Sequence, residues 1–362
     1  MDNSQLKEWK KKNTTLLTLV SIYLILASCT KDDCKNFIPS PHSEPELSSV
    51  ANFKALKEKR NEVDNVFKRD RLYRPLLFAH RGGRLEAPES SIKAFQYAIE
   101  EAGADVLEID VQLTADGKFV VWHGPELENV CIKPNPSLSR KKIYEVNWDN
   151  LKSKTCIGDP CEKDPCSNCP DDLNAASDRR LLLLSEFLNI FPDMPLNIEM
   201  KESFTKQLGG RDGLKENIAE FLNILDKGKG NRTIIIASVR HRILKEFRKQ
   251  SNENYPITNL SWLEILKLRV FGKTPEYRVL ETTYDKMYSS ERMIEVMRKS
   301  GGATYVFLTA FLWIPSIDAK LIDEKTIFDI LDRGVDGIMT DRPKYIRTIM
   351  EKWLIKSNEK HQ

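Results

Sequence analysis

Val106-Leu107-Glu108-Ile109-Asp110-Val111-Gln112-Leu113 is the stretch on which the fold turns. In a strand, side chains two residues apart share a face. Leu107, Ile109 and Val111 then form one apolar face, suited to packing under helices, while Glu108 and Asp110 share the other. Two carboxylates side by side repel, and burial raises the cost of their charge. A cation between them removes the conflict.

The same alternation recurs at Leu196–Lys201. Leu196, Ile198 and Met200 form one face; Asn197, Glu199 and Lys201 form the other. A second strand thus offers a third carboxylate and an ammonium to the same interior. Glu108, Asp110 and Glu199 together suit one hard divalent cation, and oxygen-only ligation favours Ca2+ or Mg2+ over zinc. An interior salt bridge from Lys201 is the plainer alternative for that second strand.

Working outward, short apolar runs alternate with amphipathic segments of helical period from Leu76 onward. The strands expected are Leu76–His80, Val106–Leu113, Lys118–His123, Leu196–Lys201, Thr233–Val239, Ile257–Trp262, Tyr305–Phe311 and Gly337–Thr340, with Tyr277–Tyr284 as an extra short one. Helices are expected at Ser91–Ala102, Leu214–Asp226, Arg242–Gln250, Ser290–Ser300 and Glu324–Arg333. Eight parallel-type strands with helical crossovers predict an α/β fold, a TIM (β/α)8 barrel. An open doubly wound sheet would want a glycine-rich phosphate turn after its first strand, and Gly82-Gly83 does not supply that pattern. The stretch 124–180 is too long for a barrel loop. It reads as a cysteine-rich insertion after the third strand, with a local helix near Trp148–Ser153.

The polar residues at strand ends carry the chemistry. His80 ends the first strand and His123 the third, beside the carboxylate pair. In a barrel, the C-terminal strand ends surround the active mouth. Two histidines flanking a bound phosphate can serve as acid and base near neutral pH. Arg81 can hold phosphate oxygens in a bidentate grip. The combination fits metal-assisted cleavage of a phosphodiester.

The N-terminus reads separately. Lys7, Lys10, Lys11 and Lys12 precede an apolar run from Leu16 to Ala27, a secretory signal rather than a membrane span. Leu26-Ala27-Ser28-Cys29 resembles the lipobox of bacterial lipoproteins, in which the cysteine is lipidated, and Thr30-Lys31-Asp32-Asp33 resembles a surface-export tag. An uncleaved anchor helix is the alternative. Either reading puts the rest outside the cytoplasm and beside a membrane, in the cell-surface or periplasmic space. Residues 1–28 are then the signal, 29–70 a tether with a helix from Val50 to Asp70, and 71–355 the barrel.

The formal net charge is +3, and the mature chain is closer to neutral, so no electrostatic case exists for nucleic acid. Seven cysteines need an account. Cys29 goes to lipid. Cys34, Cys131, Cys156, Cys161, Cys166 and Cys169 remain, and an oxidising compartment favours disulfides among them over a zinc knot. The pairing is not legible in the sequence.

The chain resembles the glycerophosphodiester phosphodiesterase family. The resemblance rests on His80-Arg81-Gly82, Ala87-Pro88-Glu89, Gly103-Ala104-Asp105, Glu108-Ile109-Asp110, Thr114-Ala115-Asp116-Gly117, Val120-Val121-Trp122-His123, Asn197-Ile198-Glu199-Met200-Lys201 and Gly334-Val335-Asp336-Gly337-Ile338-Met339-Thr340-Asp341-Arg342-Pro343, in order across roughly residues 75–350. It implies a TIM barrel with a small insertion after the strand ending at His123. It also implies Glu108, Asp110 and Glu199 as metal ligands, His80 and His123 as the acid–base pair, and Arg81 and Lys201 on phosphate. Glu89 would organise the site. The implied reaction gives glycerol 3-phosphate and an alcohol, through attack of the glycerol 2-hydroxyl and hydrolysis of a cyclic phosphate. A lysophospholipase D or phospholipase acting on membrane lipids is the alternative within enzymes; a catalytically retired surface-binding lipoprotein is the alternative outside them.

Three departures stand out. Ser90-Ser91 replaces the family's Asn-Thr, though serine can still cap a helix. Gly124 stands where the family has an aspartate after the second histidine, which predicts a looser His123. The family's Trp-Thr-Val-Asn run is missing, with Leu308-Thr309-Ala310-Phe311 and Trp313 in its place.

Overall fold

The computed structural model describes residues 75–127, 130–132, 136–152, 154–158, 166–167, 169–170, 178–206, 210–252, 255–258, 268, 270–272, 279–284, 289–308 and 323–359. The expected signal, Cys29, the tether and its helix lie outside these residues. Among the described residues no helix is long and apolar enough to cross a membrane.

The strands are β1 (Leu76–Ala79), β2 (Val106–Leu113), β3 (Phe119–Val121), β4 (Val130–Ile132), β5 (Thr155–Ile157), β6 (Leu182–Leu183), β7 (Leu196–Met200), β8 (Ile234–Ala237), β9 (Val279–Thr283), β10 (Ala303–Phe307) and β11 (Gly337–Thr340). β1 lies parallel between β2 and β11. β2 pairs parallel with β7 and β7 with β8; β9 pairs parallel with β10 and β10 with β11. Single parallel bridges join Ile236 to Ile257 and Thr258 to Val279. The helices that cover this sheet are α1 (Ile92–Glu100), α2 (Leu184–Ile190), α3 (Ser203–Lys206), α4 (Gly210–Gly228), α5 (His241–Ser251), α6 (Glu291–Lys299), α7 (Glu324–Asp332) and α8 (Pro343–Glu359).

Two strand expectations need correction. Lys118–His123 is not a parallel member of the sheet: β3 runs antiparallel to β2, with Val111 opposite Val121 and Leu113 opposite Phe119. The cause is local. Parallel pairing needs a crossover of about a dozen residues, and only Thr114–Lys118 intervenes. Thr114 Oγ1 donates to Asp116 Oδ1 at 2.7 Å and accepts from Lys118 N at 2.9 Å, while Gly117 takes the left-handed φ of 73° that closes the turn. Conversely, the stretch read as an extra short strand is β9, a parallel partner of β10 along five residues.

The alternation read from the sequence sorts the two faces. Leu107, Ile109 and Val111 pack outward with Phe95 of α1, Phe187 of α2 and Phe204 of α3 in the largest apolar cluster. Leu76, Phe78, Val106, Ile235, Val279, Ala303, Tyr305 and Met339 form a separate cluster between the strands. α1 starts where the serine substitution allowed: Ser91 Oγ accepts from Ala94 N at 3.0 Å.

Beyond β3, the chain builds a small lobe. β4 and β5 pair antiparallel with Cys131 opposite Cys156, and disulfides join Cys131 to Cys166 and Cys156 to Cys169. The helix expected near Trp148 is one 3-10 turn, Trp148–Asn150. The lobe has its own apolar core, and Val120 and Trp122 of the β3 segment belong to it. The neighbouring residues Phe119 and Val121 belong to the main cluster. β3 is therefore clamped between two cores.

Candidate active site

The site is built where β1 ends. His80-Arg81-Gly82 makes a tight turn in which Arg81 takes φ 52°, Gly82 81° and Gly83 92°. A left-handed arginine is strained. Gly82 is required twice over, since a Cβ there would come within 2.8 Å of the Ala94 Cβ. The turn aims the Arg81 backbone N–H at Glu108 Oε2, 2.9 Å away.

His80 is buried and held at one nitrogen. Its Nδ1 donates to Asp341 Oδ1 at 2.6 Å, and Asp341 Oδ2 pairs with Arg84 Nε at 2.8 Å. Burial alone would raise Asp341, but Arg84 and His80 overrule it and hold the carboxylate well below its usual range. It can then only accept, which places the Nδ1 proton on His80 and leaves Nε2 facing Glu108 Oε2 at 3.9 Å. The ring also meets Phe307 edge-on at 4.9 Å. Burial and Arg81 push His80 below the usual histidine value, with Asp341 pulling the other way.

The three interior carboxylates converge. Glu108, Asp110 and Glu199 each offer an oxygen within 4.8 Å of the others, because Asp110 lies opposite Glu199 in the β2–β7 register. Lys201 Nζ bridges two of them, at 2.7 Å from Asp110 Oδ1 and 2.8 Å from Glu199 Oε2. Burial opposes that ammonium, but Asp110 and Glu199 prevail and push Lys201 up to about 12. Arg81 spans Glu89 Oε2 at 2.9 Å and Asp110 Oδ2 at 3.2 Å. Burial and the Asp110 charge raise Glu108 well above its usual value.

These residues fit a hard divalent cation. Among the described residues the three converging carboxylates Glu108, Asp110 and Glu199 have Arg81 and Lys201 as paired cations. Glu199 Oε1 has no hydrogen-bond partner. An all-oxygen donor set with surplus negative charge is what Ca2+ or Mg2+ requires.

His123 follows β3 and is half-buried. It lies close enough to Arg81, Lys201, His80 and Arg84 to feel their charge. Crowding of the ring by protein, then those cations, hold it well below the usual histidine value. Among the described residues its ring has no hydrogen-bond partner. Its backbone is fixed instead: Gln112 Nε2 donates to His123 O at 2.9 Å and to Gly124 O at 3.0 Å, and Trp122 Nε1 donates to Glu126 O at 2.9 Å.

All of the site residues expected within the barrel thus meet in one place: His80, Arg81, Glu89, Glu108, Asp110, His123, Glu199 and Lys201. Four others went unassigned in the sequence. Asp341 and Arg84 are the partners of His80. Asp341 sits beside His80 because Thr340 is opposite Ala79 in the β1–β11 register, a pairing that barrel closure would have foretold. Gln112 shares the face of Glu108 and Asp110. Glu281 lies on β9, the strand read as an extra. Thr309–Phe311 and Trp313, offered as the substitute aromatic wall, lie outside the described residues.

Comparison with known proteins bears on the family and the fold. The family model described as glycerophosphoryl diester phosphodiesterase family matches residues 80–345. A glycerophosphodiester phosphodiesterase of Bacillus altitudinis is 27% identical over 76% of this chain and 98% of its own length. A lysophospholipase D of Mus musculus is 25% identical over 76% of this chain and 82% of its own length. Among solved structures, an Oleispira antarctica phosphodiesterase in complex with the product sn-glycerol-3-phosphate shares the fold with a TM-score of 0.54, at 18% identity over 76% of this chain and 97% of its own. A glycerophosphodiester phosphodiesterase of Agrobacterium tumefaciens superposes at TM-score 0.55 and 18% identity, covering 76% of this chain and 99% of its own.

Proposed function

The chain belongs to the glycerophosphoryl diester phosphodiesterase family and is an enzyme of that family, and from that premise we propose that it hydrolyses glycerophosphodiesters to glycerol 3-phosphate and an alcohol. His80 and His123 act as the acid–base pair, and Glu108, Asp110 and Glu199 hold one divalent cation, Ca2+ or Mg2+. The observation that carries this reading is the meeting of a three-carboxylate cradle with two histidines, one held by Asp341 and the other among cations.

The residues divide the work by their electrostatics. His123 is kept neutral by crowding and by neighbouring cations, which suits it to take the proton of the glycerol 2-hydroxyl as that oxygen bonds to phosphorus. His80, with Asp341 on its far nitrogen, is suited to carry a proton on Nε2 and give it to the departing alcohol oxygen. The roles reverse when water opens the cyclic phosphate. Arg81 and Lys201 border the cradle and stabilise charge gathering on the phosphoryl oxygens; Glu89 fixes the Arg81 guanidinium. When bound, the cation supplies Lewis-acid polarisation of a phosphoryl oxygen.

A lysophospholipid substrate is the second reading, favoured by the mouse lysophospholipase D relative. The test is release of glycerol 3-phosphate from glycerophosphocholine with Ca2+ or Mg2+ present. Turnover that a chelator abolishes is the expected result. Turnover indifferent to the chelator, or release of lysophosphatidate from lysolipids alone, overturns the reading.

We also propose that the eight parallel strand positions close into a (β/α)8 barrel over 71–355, with about 124–180 as its insertion. The bridges from β8 through Ile257 and Thr258 to β9 support this closure. The chain is further proposed to be exported and lipid-anchored at Cys29, on the strength of Leu26-Ala27-Ser28-Cys29 and of disulfides that suit an oxidising compartment. Loss of membrane association in a Cys29→Ala variant is the matching test.

A further inference from the structure

The interior face opposite His80 carries polar atoms that the proposed chemistry leaves unused. Asn197 precedes Glu199 on the inner face of β7, and Glu281 and Thr283 stand on the inner face of β9. All but Glu199 are at least nine-tenths buried: Asn197 is 1% exposed, Glu281 6% and Thr283 3%. Asn197 Nδ2 donates to Glu281 Oε1 at 3.4 Å across the interior. Among the described residues Asn197 Oδ1, Glu281 Oε2, Thr283 Oγ1 and Thr258 Oγ1, which also faces Glu281, lack a well-formed hydrogen bond. Buried polar groups are rarely left unpaired, because each forfeits its hydration without return. Such atoms on β7, on β9 and at Thr258 between β8 and β9, beside the metal cradle, point to a ligand that supplies hydrogen bonds.

We propose that Asn197, Glu281 and Thr283 form a hydroxyl-binding subsite that takes the glycerol moiety of the substrate and makes the enzyme selective for glycerol-bearing diesters. The proposal rests on the phosphodiesterase reading above. A hydroxyl both gives and accepts a hydrogen bond, and the subsite offers both kinds of partner. Asn197 Oδ1 accepts, and the Thr283 hydroxyl does either. Burial and the Glu199 charge push Glu281 up to about 8, against the pull of Thr258, Asn197 and Lys201. The nearby Lys201 ammonium disfavours a choline or ethanolamine headgroup here. Glu281 is not among the three carboxylates close enough to share one cation, so the metal does not account for it.

Calorimetric binding to the Ca2+-loaded full chain tests this, with sn-glycerol 3-phosphate and inorganic phosphate as the paired probes. The wild-type protein should bind glycerol 3-phosphate more tightly than phosphate. Glu281→Met should weaken glycerol 3-phosphate binding about tenfold, a loss of about 1.4 kcal/mol, and leave phosphate unchanged. Glu281→Gln, which imitates the neutral acid, should restore binding to within about twofold. Thr283→Val, nearly isosteric, should cost about threefold and keeps the test alive if Glu281→Met does not fold. Unchanged glycerol 3-phosphate affinity in the variants, parallel loss of phosphate affinity, or equal wild-type binding of the two probes overturns the subsite. The last result means that water alone fills it. Absence of glycerophosphocholine turnover by the wild-type protein is a separate result, and it overturns the underlying reading instead.

Discussion

His80 and His123, the proposed acid–base pair, sit in opposite settings. His80 leaves a strand paired on both sides, and its ring is gripped by Asp341, which Arg84 grips in turn. His123 leaves a three-residue antiparallel strand, and its ring has no hydrogen-bond partner among the described residues. What fixes it is main-chain: two hydrogen bonds from Gln112 and a strand whose Trp122 is buried in the disulfide-linked lobe. One ring is oriented by a charged partner, the other is placed by its scaffold. A counter-ion supports the protonated state, whereas a position without one, among cations, keeps the ring neutral.

The largest effects should come from removing either ring. His80→Ala and His123→Ala should each lower kcat by about a thousandfold or more, within the range for loss of a general acid or base. Near-normal turnover of glycerophosphocholine by either variant would break the pairing.

Next comes the charge on the His80 side. Asp341→Asn should lower kcat by about 100-fold to 10,000-fold, as expected when the carboxylate that sets a catalytic histidine's tautomer is lost. The pH profile separates this from simple damage. Activity needs His80 protonated and His123 neutral. Asp341 raises His80, so its loss lowers that pKa, and the basic limb of kcat/KM should move to lower pH. The acid limb, set by His123 well below the usual 6.5, should stay. Movement of both limbs together would mean that the two histidines are not independently tuned.

The same contrast decides what could be read from sequence. Period-two alternation fixed which residues of 106–113 and 196–201 face inward, because a strand buried on both faces must segregate its polar residues. It placed Glu108, Asp110, Glu199 and Lys201 in one interior, where Lys201 forms the salt bridge that was the plainer reading of its strand. It could not show that β3 turns back on β2: apolar runs look alike in parallel and antiparallel strands, and the evidence lay in the short Thr114–Lys118 connection. Nor could it give His80 its Asp341, 261 residues away. That contact exists only once β1 and β11 are neighbours. The disulfide pairing was closed for the same reason, since Cys131 and Cys156 become neighbours only through the β4–β5 register.

On the His123 side the expected effect is smaller. Gln112→Leu removes both donors to the His123 and Gly124 carbonyls while keeping the side chain's bulk. A structural cost of about 1–3 kcal/mol follows from leaving those buried acceptors unpaired. A displaced but still reachable ring should lower kcat about tenfold, with KM nearly constant. A fall in stability with unchanged kcat would show that Trp122 and the lobe suffice to place His123.

The gentlest perturbation converts one setting into the other. Gly124→Asp puts a carboxylate beside His123, where the family resemblance leads one to expect an aspartate. The His123 ring has no hydrogen-bond partner among the described residues, while the backbone at His123 and Gly124 is held by Gln112. A Cβ at 124 would lie 3.1 Å from the Glu126 carbonyl oxygen, which is tight but can be relieved by a shift of a few tenths of an ångström. The rate should therefore change little, within about threefold, a difference below about 0.7 kcal/mol. The acid limb should move measurably. An added negative charge stabilises the protonated ring, so the His123 pKa rises toward 6.5 and activity is lost at higher pH than in the parent. If the limb stays in place while the rate holds, charge does not govern His123 at all. The contrast with His80 would then be one of geometry alone.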